Sequence, residues 1–182
     1  MKRILTISAI ALALSLSASA QKKQLDHSVY DSWESVTGMD LSDNGDIFTY
    51  VVSQQEGDTR LVITNRLTKQ TVSVDRGGAA QITRDGRWAF FTIKAPFADT
   101  RAAKIAKKKA DDMPKDSAAI VNLSTFELTK MPETTSISVP ADDRSIIAYN
   151  IKDEKDKKVT LKVIRDLTSD YVDTLRNVDR YS

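Results

Sequence analysis

An all-β fold is predicted by three observations on the sequence. Short runs of β-branched and aromatic residues recur along the chain, turn-forming residues separate them, and a turn-plus-strand unit repeats. The clearest copies are Leu41-Ser42-Asp43-Asn44-Gly45-Asp46-Ile47-Phe48-Thr49-Tyr50 and Ile82-Thr83-Arg84-Asp85-Gly86-Arg87-Trp88-Ala89-Phe90-Phe91, offset by 41 positions. A weaker third copy covers residues 139–149 and aligns Arg144 with Arg87, an offset of 57. A second element, a strand ending in an Asn or Asp turn, follows each: Val62 to Thr68, Ala119 to Thr125 and Val163 to Ser169. A period near 40 residues with several strands per unit is the pattern of a β-propeller blade. The expected architecture is therefore a partial β-propeller of about three four-stranded blades, over about 37–76, 77–135 and 136–182, with a short helical insertion in the second. A secreted β-sandwich that happens to repeat fits the period less well.

Lys2 and Arg3 open the chain ahead of an apolar run over residues 4–14, which relaxes into Ser and Ala and ends Ala18-Ser19-Ala20. These are the three parts of a cleavable secretory signal over residues 1–20. The apolar part is too short and too rich in Ser and Ala to span a bilayer, so no membrane attachment is expected after cleavage near Ala20. The 182 residues carry 27 Lys+Arg against 25 Asp+Glu. Loss of Lys2 and Arg3 leaves 25 of each, and a neutral chain lacks the positive field of a nucleic-acid binder. The absence of cysteine excludes disulfides, thiolate metal sites and a Cys nucleophile. Export without disulfides points to a periplasmic or secreted protein.

A polar lead-in over residues 21–36 comes next. Strands are predicted at residues 47–52, 60–64, 71–74, 88–93, 119–121, 146–151 and 159–164. Ile47, Trp88, Phe90 and Phe91 are expected between sheets, with Tyr50 and Tyr149 near them. The offset of 57 exceeds 41 by 16, which the Ala- and Lys-rich segment 96–115 accounts for. It is read as a helix opened by Asp99 or Thr100 as N-cap and finished before Pro114. Its basic face, Arg101, Lys104, Lys107 and Lys108, admits two readings, an anion or polymer contact or a solvated helix. Charge runs generally favour the second.

Catalytic chemistry is nearly absent. His27 is the single histidine, and Asp26, His27 and Ser28 are adjacent, whereas a triad needs residues held apart on a scaffold. None of the six glycines forms a Gly-x-Ser-x-Gly elbow or a phosphate loop. Asp43 with Asp46, and Asp142 with Asp143, sit where tight turns favour Asp, so calcium ligation is the weaker reading. The expected site inventory is empty: no catalytic residue, no cofactor-binding residue, no metal ligand and no cofactor.

Several segments resemble one family. The lead-in Leu25-Asp26-His27-Ser28-Val29-Tyr30-Asp31-Ser32-Trp33, the turn Ser42-Asp43-Asn44-Gly45, and above all Pro96-Phe97-Ala98-Asp99-Thr100-Arg101, Lys107-Lys108-Lys109 and Asp112-Met113-Pro114-Lys115-Asp116-Ser117 are similar to the amino-terminal region of exported bacterial serine peptidases of the prolyl oligopeptidase family. The resemblance implies a propeller that gates or positions peptide substrates for a carboxy-terminal α/β-hydrolase domain carrying Ser, Asp and His. No catalytic residue transfers to a position of this sequence. Residues 177–182 occupy the place that residues 77–82 hold in the second unit, so further blades are expected beyond them. The alternative is a non-catalytic periplasmic propeller that binds a partner.

Overall fold

The computed structural model describes residues 30, 33–131, 134, 137–139, 145–152, 159–169 and 171–176. The chain divides into two units, Met1–Tyr30 and Asp31–Ser182, and the sheets belong to the second. The predicted signal over residues 1–20 lies outside the described residues.

Twelve strands form three antiparallel sheets, each a four-stranded meander in chain order. The first contains β1 (Glu34–Leu41), β2 (Ile47–Gln54), β3 (Arg60–Asn65) and β4 (Thr71–Asp75). The second contains β5 (Gln81–Ile82), β6 (Trp88–Ile93), β7 (Ser117–Asn122) and β8 (Leu128–Met131). The third contains β9 (Ile137–Ser138), β10 (Ile146–Lys152), β11 (Thr160–Asp166) and β12 (Val172–Arg176). Three meanders stacked face to face are the blades of a partial propeller.

Side-chain alternation decides which faces meet. Ile47, Val51, Leu61, Ile63 and Val74 of the first sheet pack against Ala89, Phe91, Ile93, Ala119 and Val121 of the second. The other face of the second sheet, Phe90, Ala118, Ile120 and Met131, packs on Ile147 of the third. A sheet covered on both sides needs apolar residues at successive positions, which is why Ala89-Phe90-Phe91 shows no polar alternation. Trp88, expected in the core, is half-buried at the rim of the second interface. Tyr149 packs there too, whereas Tyr50 does not. It lies on the far face of the first sheet, its ring 5.5 Å from that of Phe48.

The repeat is visible as repeated hydrogen bonding. Ser42 Oγ and Thr83 Oγ1 each donate to the Asx side chain two residues on, Asn44 at 2.6 Å and Asp85 at 2.7 Å. Each also accepts the amide five residues on, from Ile47 at 2.9 Å and Trp88 at 3.1 Å. Gly45 and Gly86 complete these turns at φ +74° and +68°, where a Cβ would be crowded. The later turns are anchored by Asn65, Asn122 and Asp166, whose side chains accept the amides of Thr68, Thr125 and Thr168 or their neighbours.

Turn geometry also corrects the third repeat. Arg66 N donates to Asp46 O, Leu123 N to Arg87 O and Leu167 N to Ser145 O, at 2.7, 2.9 and 2.8 Å. Ser145, not Arg144, is therefore the counterpart of Arg87, 58 positions on. The difference of one residue reverses the faces of β10. Ile147 and Tyr149, instead of Ile146 and Ala148, point to the second sheet.

β1 starts at Glu34, inside the span read as lead-in. All of its residues except Asp40 are exposed, so it carries no alternation to mark it as a strand.

Candidate functional site

The insertion between β6 and β7 holds the most specific tertiary chemistry. Its helix, α1 (Phe97–Ile105), has its N-cap at Pro96, three residues before Asp99 and four before Thr100, the expected caps, and it has no side-chain cap of its own. The reason is a distant cap. Asp58, in the β2–β3 loop, accepts the Phe97 amide at 2.8 Å, which satisfies an orphan donor and sets a carboxylate at the positive end of the helix. One turn on, Arg101 pairs with Glu56 of the same loop at 2.6 Å. A first-blade loop thus fastens the start of a second-blade insertion. The helix ends at Ile105, and a 3-10 turn (Ala110–Asp112) precedes Pro114.

Asp116 closes the root of the insertion. One carboxylate oxygen accepts the Ala95 amide at 2.9 Å and the other meets Lys94 Nζ at 3.0 Å. The loop, the helix start and this root enclose a cleft of about 330 Å³ whose lining includes Asp58, Thr59, Lys94, Phe97 and Asp116. A second cleft of about 560 Å³ lies beyond Asp58 and Thr59, lined by Glu34, Gln54, Arg60, Asp75 and Arg76. The larger cleft is lined mostly by polar surface and the smaller mostly by apolar surface. Neither lining holds a serine, cysteine or histidine to serve as a nucleophile or imidazole base.

The residues weighed from sequence are dispersed. Asp26, His27, Ser28, Asp142 and Asp143 lie outside the described residues. Asp46 accepts Asn44 Nδ2 at 2.9 Å within its turn, and Asp43 stands 3.9 Å from Arg84. Among the described residues no group of three or more His, Asp or Glu side chains is arranged to hold a metal. Glu56 and Asp58 carried no sequence signal beyond their turn setting, and Asp116, inside one of the family-like segments, gave none of its pairing, because their partners are 45, 39 and 21 positions away.

Asp166 is the third-blade counterpart of Asn65 and Asn122, and the substitution makes that turn titratable. The Thr168 amide and hydroxyl, with further hydroxyls from Ser169 and Ser145, hold its carboxyl at about 2 against an ordinary 3.8. A folded pKa below the unfolded one contributes stability above 3.8 that is lost as pH falls from 3.8 toward 2. Asp166→Asn keeps the amide acceptor used in the first two blades. The variant is expected to lose less stability than the parent over that window, as measured by urea unfolding at a series of acid pH values.

Neither the protein-family models nor the curated proteins give a match to this sequence. Among solved structures, the chain is similar to the acylaminoacyl peptidase of Pyrococcus horikoshii, with a TM-score of 0.50 and 11% identity over 86% of this chain and 27% of that one. It is also similar to the β-propeller domain of the Trilobed protease from Pyrococcus furiosus, with a TM-score of 0.49 and 13% identity over 81% of this chain and 44% of that one. At these identities the likeness is one of fold. The chain spans less than half the length of either protein.

Proposed function

We propose that this chain is the amino-terminal propeller portion of an exported serine peptidase of the prolyl oligopeptidase family. In that reading the blades gate or position peptide substrates for an α/β-hydrolase domain elsewhere in the polypeptide. The observation that carries it is the conjunction of three complete four-stranded blades with the insertion Pro96-Phe97-Ala98-Asp99-Thr100-Arg101, whose resemblance is specific to those peptidases. The fold likeness to an acylaminoacyl peptidase is consistent with it.

The far face of the first sheet supports the presence of further blades. Phe48, Tyr50 and Val52 occupy the strand positions at which Ala89, Phe91 and Ile93 of the second sheet pack against the first. Val36 and Leu41 beside them are 54% and 49% exposed. A face with this composition fits against a neighbouring blade of the same ring. Export, through the signal over residues 1–20, and a periplasmic or secreted location belong to the same proposal.

The coding sequence downstream of codon 182 tests it, together with peptide hydrolysis by the encoded protein. Further blades followed by a Gly-x-Ser-x-Gly elbow and later Asp and His, with hydrolysis absent from the 182-residue chain alone, are the expected result. Further blades without the elbow would make the protein a binding propeller. A stop after Ser182 would remove the peptidase reading.

A further inference from the structure

We propose that the free end of α1 is a docking surface for an acidic polypeptide segment, through Lys104, Lys107, Lys108 and Lys109. The inference concerns binding alone and stands whether or not the parent polypeptide is a peptidase. Residues 97–109 hold five basic residues and one acidic one, with Asp111 and Asp112 just beyond, in a chain whose other residues hold 22 Lys+Arg against 24 Asp+Glu. Arg101 is committed to Glu56. The four lysines enter none of the ion pairs found among the described residues, and all four are exposed.

Backbone geometry fixes where these lysines stand. Lys107 N donates to Lys104 O and Lys108 N to Ala103 O, both at 3.0 Å. Those two bonds, with Lys107 at φ +50°, make a Schellman end in which Lys107 holds the left-handed position. Glycine is favoured there because a Cβ crowds the backbone. Lys69, Arg76 and Phe126 hold the same left-handed region elsewhere, so what distinguishes Lys107 is the two further lysines that follow it. A favourable interaction with the helix dipole needs only a cation in the last turn, and Lys104 already supplies one.

The insertion presents this charge from a fixed base. Its start is held by Asp58 and Glu56, its root by Asp116, and Ala103 is its one buried helical residue. Lysine ammoniums meet anions as point charges, without the paired geometry of arginine, and the spaced carboxylates of an acidic peptide suit that mode. One exposed apolar residue at this end, Ile105 at 73%, gives a peptide a small apolar contact but no face broad enough to enter a bilayer.

The test is fluorescence anisotropy of a short labelled Glu-rich peptide titrated with the 182-residue chain. Binding is expected at low salt, with loss on adding NaCl and no binding of a Gly/Ser peptide. Lys107→Gly/Lys108→Gln/Lys109→Gln should weaken it about tenfold, the effect of three exposed ion pairs together. Its melting temperature should not fall, since glycine suits the left-handed position. Lys108→Gln/Lys109→Gln, which leaves the helix end untouched, should give an intermediate loss. Unchanged affinity in both variants, or no binding at low salt, would overturn the proposal. So would lysine-dependent binding to phosphatidylglycerol vesicles without binding of the peptide, which would make the surface a membrane contact.

Discussion

Phe91→Ala is expected to lower the unfolding free energy by about 3–5 kcal/mol, the cost of emptying an aromatic site in a packed core. Phe91 is 4% exposed and lies between the first and second sheets with Ile47, Leu61 and Ile63. Those neighbours are on strands that cannot close over the cavity without shifting a ladder hydrogen bond, so little relaxation is available. Leu41→Ala is the paired control. Leu41 is 49% exposed on the far face of the first sheet, and its truncation should change stability by no more than about 0.5 kcal/mol in this chain. Urea unfolding followed by circular dichroism measures both. Equal losses would mean that Phe91 is not a core residue or that Leu41 is covered in solution.

Gly38→Val should cost about 2–5 kcal/mol, from a left-handed backbone forced on a branched residue plus overpacking. Gly38 sits at φ +53°, in the register shift of β1 between Thr37 and Asp40. A Cβ added there would meet Ala79 Cβ at 2.8 Å and Val51 Cγ2 at 3.4 Å. The bulge lets the first strand of one blade approach the chain leading into β5 of the next. The two contributions are separable. Gly38→Ala keeps the φ strain and the clash, whereas Gly38→Ala with Ala79→Gly relieves the clash alone. The double variant should recover part of the loss, and recovery of all of it would show that φ carries no penalty.

These two sites differ in how far the sequence foretells them. Phe91 stands in a run of consecutive apolar residues bounded by a turn, and its burial is expected from that pattern. Gly38 has no such context. β1 is exposed at nearly every position, so neither the strand nor its bulge announces itself. The same applies to β5, β8, β9 and β12, which no apolar run marks. β5 and β9 have two residues each, and every residue of β12 is exposed. A short or edge strand is held by the ladder beside it, and its own side chains need not alternate.

The candidate site divides in the same way. The insertion and its lysines stand out in the sequence as a composition change and an excess length. The N-terminus of α1 does not, because Asp58 caps it from another blade.

By itself the sequence determined the repeating turn-plus-strand unit, the all-β propeller architecture, the place of the insertion and the positions of the Asn65, Asn122 and Asp166 turns. All of these are written in local terms: side chains that bond their own backbone, glycines at left-handed positions, and apolar runs long enough to be buried. The tertiary structure alone decided the single-residue register of the third blade, and with it which face of β10 is covered. It alone placed Tyr50 on the far side of the first sheet and joined Arg101 and the helix start to Glu56 and Asp58. It alone put Lys107 in a left-handed turn. Those features depend on contacts between residues far apart in the chain, or on one-residue differences that leave the hydrophobic pattern nearly unchanged while reversing the direction of every side chain.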